Sequence, residues 1–141
     1  MPEQKPNSQF VHVVAAVIWH PSQVNTLLIS KRQKGQHLEY HWELPGGKVD
    51  SGEPPVQALN RELLEELDIK VKKSNPFMQV KHRYTDRNIL LDVWEVTSFD
   101  GKAIGCEGQE ICWAPIIELD DFQFPEADIP VLNAIKNSAK A

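Results

Sequence analysis

Residues 47–69 read GKVDSGEPPVQALNRELLEELDI, and this stretch decides the fold. Pro54 and Pro55 fit only the first turn of a helix, where the missing N–H groups would have no partner anyway. The spacing therefore predicts a helix over 54–67. Val56, Leu59, Leu63, Leu64 and Leu67 recur at about 3.6 residues and form its apolar face. Glu62, Glu65 and Glu66 stand at i, i+3 and i+4, so all three project from one side. Like charges at that spacing repel by a few tenths of a kcal/mol per pair, and Arg61 offsets part of this. Taken alone, such a run reads as a solvated helix face. Its neighbourhood points elsewhere. Pro45-Gly46-Gly47, within Glu43–Val49, punctuates a tight, exposed bend and can bring backbone carbonyls and amides close to a ligand. Carboxylates beside a glycine backbone make an oxygen-rich site. Hard cations such as Mg²⁺ take such ligands and bridge to substrate phosphates.

Working outward, residues 1–9 read as a flexible polar tail and residues 10–141 as a single domain. Phe10–Trp19 is valine-rich and reads as a buried strand. A turn over Pro21–Asn25 leads to a second strand over Thr26–Lys31. Gln33–His41 is a polar loop. Phe77–Thr85 and Ile89–Ser98 read as a hairpin around Asp86-Arg87-Asn88. Gly101–Gln109 is a loop, Glu110–Ala114 a short strand, and Ile129–Ser138 a closing helix behind Pro130. The pattern is that of an α+β chain.

The stretch 47–69 resembles the Nudix box. That pattern runs glycine, five residues, glutamate, seven residues, Arg-Glu, an aliphatic residue, any residue, Glu-Glu, any residue, glycine and an aliphatic residue. Here Gly47, Glu53, Arg61-Glu62, Leu63, Glu65-Glu66 and Ile69 match, and Asp68 replaces the usual glycine. Asp68 falls where a left-handed helix cap is expected, a conformation aspartate tolerates better than most residues. The resemblance implies the Nudix fold, a mixed β-sheet sandwiched between helices (α/β/α). It also implies that Glu62, Glu65 and Glu66 bind Mg²⁺, with Mn²⁺ as its substitute, helped by the Gly46 carbonyl. One carboxylate of the cluster would deprotonate the attacking water, and which one stays open. Glu53 and Arg61 would form a structural pair locking the loop after Gly47 onto the helix.

Further residues resemble the MutT branch of that family, whose members clear 8-oxo-dGTP. Arg32 stands where the branch has a substrate-contacting arginine. Asp86-Arg87 matches an Asp-Arg turn, and Arg87 would touch base or phosphates. Glu107, in Cys106-Glu107-Gly108-Gln109, matches a loop glutamate that completes the metal site. Phe124-Pro125-Glu126-Ala127-Asp128 resembles the segment ending in the base-reading residue. Leu44 stands where the branch often has phenylalanine against the base. Each has a plain alternative. Arg32 and Arg87 could be surface charges, Glu107 a solvated loop residue, and Asp128 the N-cap of the last helix. MutT itself has asparagine at the position of Asp128. An ionised carboxylate only accepts hydrogen bonds, so it faces O6 of 8-oxoguanine poorly unless protonated, whereas it suits the cytosine amino group. Ala127-Asp128-Ile129-Pro130 also resembles the CTP pyrophosphohydrolase of the family. The two substrate readings stand side by side: 8-oxo-dGTP cleaved to the monophosphate and pyrophosphate, or a cytosine nucleotide such as CTP or 5-methyl-dCTP.

Bulk properties narrow the classes. The 141 residues suit one core, and 41% are hydrophobic. The net charge of −5 disfavours gripping a nucleic-acid backbone, though not a small phosphorylated substrate carried with a metal ion. A non-catalytic relative that recognises damaged bases in DNA typically lacks the glutamates kept here. Cys106 and Cys112 match no zinc spacing and make a poor disulfide framework, so reduced thiols and a cytoplasmic setting are expected. No apolar run reaches the roughly 18 residues of a membrane helix. The expected partner is a small nucleotide, with the chain acting as a monomer or weak dimer.

Overall fold

The structure, a computed structural model, describes residues 9–138. The tail expected over 1–9 lies outside the described residues, Gln9 apart. The order is β1 (Phe10–Ile18), β2 (Thr26–Lys31), β3 (Trp42–Glu43), β4 (Gly46–Lys48), α1 (Pro55–Leu67), β5 (Lys70–Arg83), β6 (Asn88–Asp100), β7 (Ile111–Pro115) and α2 (Ile129–Asn137), with short 3-10 turns at Ile116–Asp121 and Glu126–Asp128. The strands form two sheets. One is mixed, in the order β4-β1-β6-β5, and the other is antiparallel, in the order β3-β2-β7. β1 runs parallel to β6 from Phe10↔Asn88 to Ile18↔Val96, and Trp19↔Leu27 bridges the two sheets.

The alternation of β1 shows the layering. Val14, Ala16 and Ile18 pack with Leu59, Leu63 and Leu67 of α1. Ala15 and Val17 point the other way, into a second core with Val131, Leu132 and Ile135 of α2. Successive strand residues face opposite sides, so the unbroken apolar run Val13–Ile18 of β1 must be covered on both, here by one helix each. The expected α/β/α sandwich is thus present, its strands divided into two ladders. Each fully buried leucine of α1 stabilises by about 1.5–3 kcal/mol. Val56 and Leu64 do not join this face; they are 39% and 53% exposed, and Ala58 is buried in their place.

Three further expectations change. Glu43–Val49 is not an exposed bend. It forms β3 and β4 with Leu44 and Pro45 buried between them, and β4 pairs with β1 through Ala15↔Gly46 and Val14↔Gly47. A Cβ at Gly46 would collide with the Val14 carbonyl, so the close approach of two backbones selects glycine there. The hairpin is longer than expected, because β5 begins at Lys70. Lysines and Pro76 hide that first half from a hydrophobic reading, yet both are tolerated on a sheet edge, and the ladder shifts register around Pro76. The short strand begins and ends one residue later, as Ile111–Pro115.

Asp68 closes α1 as expected, with φ 57° and ψ 35° and its N–H bonded to the Leu64 carbonyl. A left-handed aspartate is strained where glycine is not. Asp68→Gly is therefore expected to stabilise the protein by about 0.5–1 kcal/mol, read as a rise in the urea midpoint at unchanged slope. Among the described residues no helix is long and apolar enough to cross a membrane.

Candidate active site

The site is built where β4 passes the acidic side of α1. Arg61 ties the two together. Its Nε and Nη2 donate to the two carboxylate oxygens of Glu53 at 2.9 and 3.0 Å, and Nη2 also donates to the Lys48 carbonyl at 3.1 Å. Glu53 Oε1 further accepts the Asp50 N–H at 3.0 Å. The Glu53 side chain is 7% exposed, and the Arg61 hydrogen bonds hold its carboxyl below the usual range. The expected Glu53–Arg61 pair is thus present, as a two-pronged clamp across the loop.

The remaining donor of Arg61, Nη1, reaches Glu62 Oε1 at 2.9 Å and stands 3.7 Å from Glu65. Glu62 lies against Gly47, where any Cβ would run into its carboxylate. Burial raises the Glu62 carboxyl above its ordinary range despite the Arg61 contact. Gly47→Ala is accordingly expected to swing the Glu62 carboxylate aside. It should cost about 10- to 100-fold in kcat/KM and under ~1 kcal/mol of stability, compared by pyrophosphate release and urea melts.

Glu66 is the most perturbed member. Its Oε2 accepts the Gly46 N–H at 3.2 Å. Burial first, then the charges of Glu62, Glu43 and Glu107, push its carboxyl up to about 8. Burial and like-charge neighbours both disfavour the ionised form, so this corner is short of positive charge. Glu65 is the outlier, with its side chain 59% exposed at the rim. The Glu107 side chain is exposed, on a loop fastened to the end of α1. The Glu66 carbonyl accepts both the Cys106 N–H at 2.9 Å and the Gln109 amide at 3.0 Å. Among the described residues, no three His, Cys, Asp or Glu side chains converge on one metal-sized point. The donor chemistry nevertheless fits a hard divalent cation. Mg²⁺ commonly uses one or two carboxylates plus waters and substrate phosphates rather than an all-protein cage.

A pocket adjoins this cluster. Arg32, Glu43, Leu44, Tyr84, Arg87 and Asp128 all line it, so the structure brings the expected Arg32, Leu44, Arg87 and Asp128 together. Arg32 stands 3.1 Å from Glu43 through Nε and donates through Nη1 to the His37 carbonyl at 2.9 Å. The Glu43 contact is a close charge pairing without good hydrogen-bond alignment, because Arg32 Nε lacks a directed partner. Arg87 Nε is likewise buried without one. Leu44 is buried, forms one wall, and its backbone N–H bonds Asp128.

Asp128 precedes α2 but makes no side-chain cap, and its backbone is already helical at φ −81° and ψ −19°. The side chain instead points into the pocket, so the capping alternative fails. Burial, then the charge of Glu43, raise its carboxyl to about 7 against the opposing pull of Arg32. Tyr84 and Glu43 are polar lining residues not singled out from the sequence. The Tyr84 hydroxyl accepts the Ala127 N–H at 3.1 Å, fixing the segment that carries Asp128. Glu43 is an acidic residue inside the otherwise apolar Trp42–Pro45 run, and that isolation was its one signal. Cys106 and Cys112 are both free thiols.

The chain is similar to known proteins. The NUDIX domain family matches residues 14–134. An 8-oxo-dGTP diphosphatase of Escherichia coli K12 is 36% identical over 112 residues, 79% of this chain and 87% of that protein. A CTP pyrophosphohydrolase of the same strain is 32% identical over 126 residues, 89% and 91% of the two chains. A solved structure from a study of MutT of Aliivibrio salmonicida and Vibrio cholerae superposes with a TM-score of 0.78. It is 36% identical and covers 90% of this chain and 97% of that one.

Proposed function

The chain belongs to the NUDIX domain family, and from that premise we propose that it is an 8-oxo-dGTP diphosphatase, cleaving the triphosphate to the monophosphate and pyrophosphate. The observation that carries this reading is the adjacency of two features. A pocket holding the buried Asp128 opens beside a cluster of glutamates on α1. One end suits a base, the other a phosphate chain. Residues 10–141 would act as one domain, as a monomer or weak dimer, in the cytoplasm.

Glu62, Glu65, Glu66 and the Gly46 carbonyl would hold Mg²⁺ (or Mn²⁺), with Glu107 closing the set from its loop. When bound, the cation offsets phosphate charge and eases deprotonation of water. The chain supplies the rest. The Arg61–Glu53 clamp fixes α1 against the Gly46–Lys48 strand, so the carboxylates cannot drift from the phosphates. A glutamate of the cluster takes the proton of the attacking water, and a raised pKa such as that of Glu66 suits that task near neutrality. Arg32 and Arg87 can each direct guanidinium N–H groups into the cleft toward the substrate. Leu44 packs on the base and Asp128 reads its edge.

A second reading has specific support. Asp128 and the 32% identity to a CTP pyrophosphohydrolase favour a cytosine nucleotide. Steady-state assays with 8-oxo-dGTP, dGTP, CTP and 5-methyl-dCTP separate the two. The expected result is a kcat/KM for 8-oxo-dGTP well above that for dGTP and for both cytosine nucleotides. A preference for CTP or 5-methyl-dCTP transfers the assignment to the second reading.

A further inference from the structure

We infer that Tyr84 is a positioning residue for base selection: its hydroxyl, by accepting the Ala127 N–H, sets where the Asp128 carboxyl meets a base. The inference rests on the reading above of Asp128 as the base-reading residue of a nucleotide pyrophosphohydrolase. Asp128 ends a three-residue 3-10 turn, Glu126–Asp128. Two bonds of that turn are local. The Asp128 N–H donates to the Pro125 carbonyl at 3.0 Å, and the Ile129 N–H donates to the Glu126 carbonyl. The Ala127 N–H instead leaves the turn and donates to the Tyr84 hydroxyl at 3.1 Å. Ala127 is 5% exposed, so water is a poor replacement for that acceptor, and a buried donor left unpaired is costly. The His82–Glu126 pair, 3.3 Å apart, also joins the turn to β5. The Glu126 side chain is 81% exposed there, and an ion pair open to water holds little. The tie that counts is the one from Tyr84.

Tyr84 is itself held in place. Its backbone N–H donates to the Arg87 carbonyl at 2.8 Å and closes the end of the β5–β6 hairpin. Its ring meets His82 and His37 edge-on, with centroids 4.5 and 5.9 Å apart. The ring also packs against the core that α2 covers. The hydroxyl is therefore a fixed point on the hairpin from which the turn is suspended. The Asp128 carboxyl has a second tie, the Leu44 N–H. One tie holds its backbone through Ala127 and the other holds its side chain. A displacement of about 1 Å at a binding group can cost as much as 10²-fold, so a group that selects between bases needs both.

The rival role for the hydroxyl is support of the fold alone. Tyr84→Phe keeps the ring and removes only the acceptor. The quantity to read is the ratio of kcat/KM for 8-oxo-dGTP to that for dGTP, or for CTP to that for UTP if CTP is the nucleotide cleaved. Such a ratio does not depend on how much of a preparation is folded. Tyr84→Phe is expected to lower it by about tenfold. In Asp128→Ala, where the reader is already gone, adding Tyr84→Phe should change the ratio by less than about twofold. Hydrogen exchange of the Ala127 amide, followed by NMR on the full chain, gives a readout that needs no substrate. It should quicken by about tenfold or more in Tyr84→Phe. A ratio unchanged by Tyr84→Phe overturns the inference and leaves the hydroxyl a support of the fold. An equal fall in the Asp128→Ala background also overturns it, because the hydroxyl then meets the base directly. An Ala127 amide that exchanges no faster removes the hydrogen bond on which the inference stands. With a nucleotide hydrolysed, any of these three results sinks only the role of Tyr84. If no nucleotide is hydrolysed, the pyrophosphohydrolase reading itself falls and takes this inference with it.

Discussion

Glu66→Gln is expected to lower kcat for pyrophosphate release on the order of 10³-fold while the protein stays folded. The change is nearly isosteric. The glutamine carbonyl can still accept the Gly46 N–H that Glu66 Oε2 takes at 3.2 Å, so the junction of β4 with α1 is kept. What disappears is the capacity to carry a buried negative charge, which a carboxyl pushed up to about 8 takes on at higher pH or beside a cation. In the native site that charge is held among Glu62, Glu43 and Glu107, an arrangement that costs free energy unless a cation compensates it. Removing it should leave the cation-free Tm equal to or above that of the wild type. It should also shrink the rise in Tm on adding Mg²⁺, since a ligand of the native state stabilises in proportion to its affinity. Melting curves with and without Mg²⁺, alongside the pyrophosphate assay, check both halves. A variant that keeps more than about a tenth of wild-type kcat, with an undiminished Mg²⁺ effect on Tm, would place the cation elsewhere.

The contrast between Glu66 and Glu65 shows what a sequence can carry. Helical spacing puts Glu62, Glu65 and Glu66 on one side of α1, and that much follows from periodicity alone. Periodicity does not say how far each one is buried. Glu66 is covered because β4 passes over it, whereas Glu65 faces outward at the rim. The same limit explains Val56 and Leu64. They are apolar at helical spacing but stay largely exposed, whereas Leu59 and Leu63 are fully buried. β1 was legible as a buried strand because its unbroken apolar run Val13–Ile18 reads as burial on both faces. The first half of β5 was not, because an edge strand can be polar and can hold proline. Glu43 and Tyr84 gain their meaning only when β3, the hairpin and the segment before α2 meet. No local pattern encodes that meeting.

Asp128 yields the other large effect, because its protonation decides which base the pocket fits. Burial and the nearby Glu43 raise its carboxyl from an ordinary 3.8 to about 7. Below about pH 7 the group is a neutral acid with one O–H donor and one acceptor oxygen, hydrogen-bonding as an amide does. It can then donate to O6 of 8-oxoguanine and accept from N7–H. Above pH 7 it is a carboxylate that only accepts, and O6 faces an uncompensated charge. For 8-oxo-dGTP, kcat/KM is therefore expected to fall by up to about tenfold per pH unit above 7, following the protonated fraction. Asp128→Asn should abolish that fall while keeping activity, and Asp128→Ala should lose on the order of 10²-fold of the selectivity over dGTP. Stability gives an independent sign. A carboxyl whose folded pKa exceeds its unfolded one is most favourable to folding below the unfolded value, and that contribution is lost as pH rises from about 4 through 7. The Asn variant escapes this loss and should melt higher than the wild type at pH 8 but not at pH 4. Cytosine reverses the kinetic trend, because its amino group donates and so prefers the ionised acid. A kcat/KM for CTP that climbs above pH 7, with that for 8-oxo-dGTP flat and low, would mean that Asp128 selects a pyrimidine.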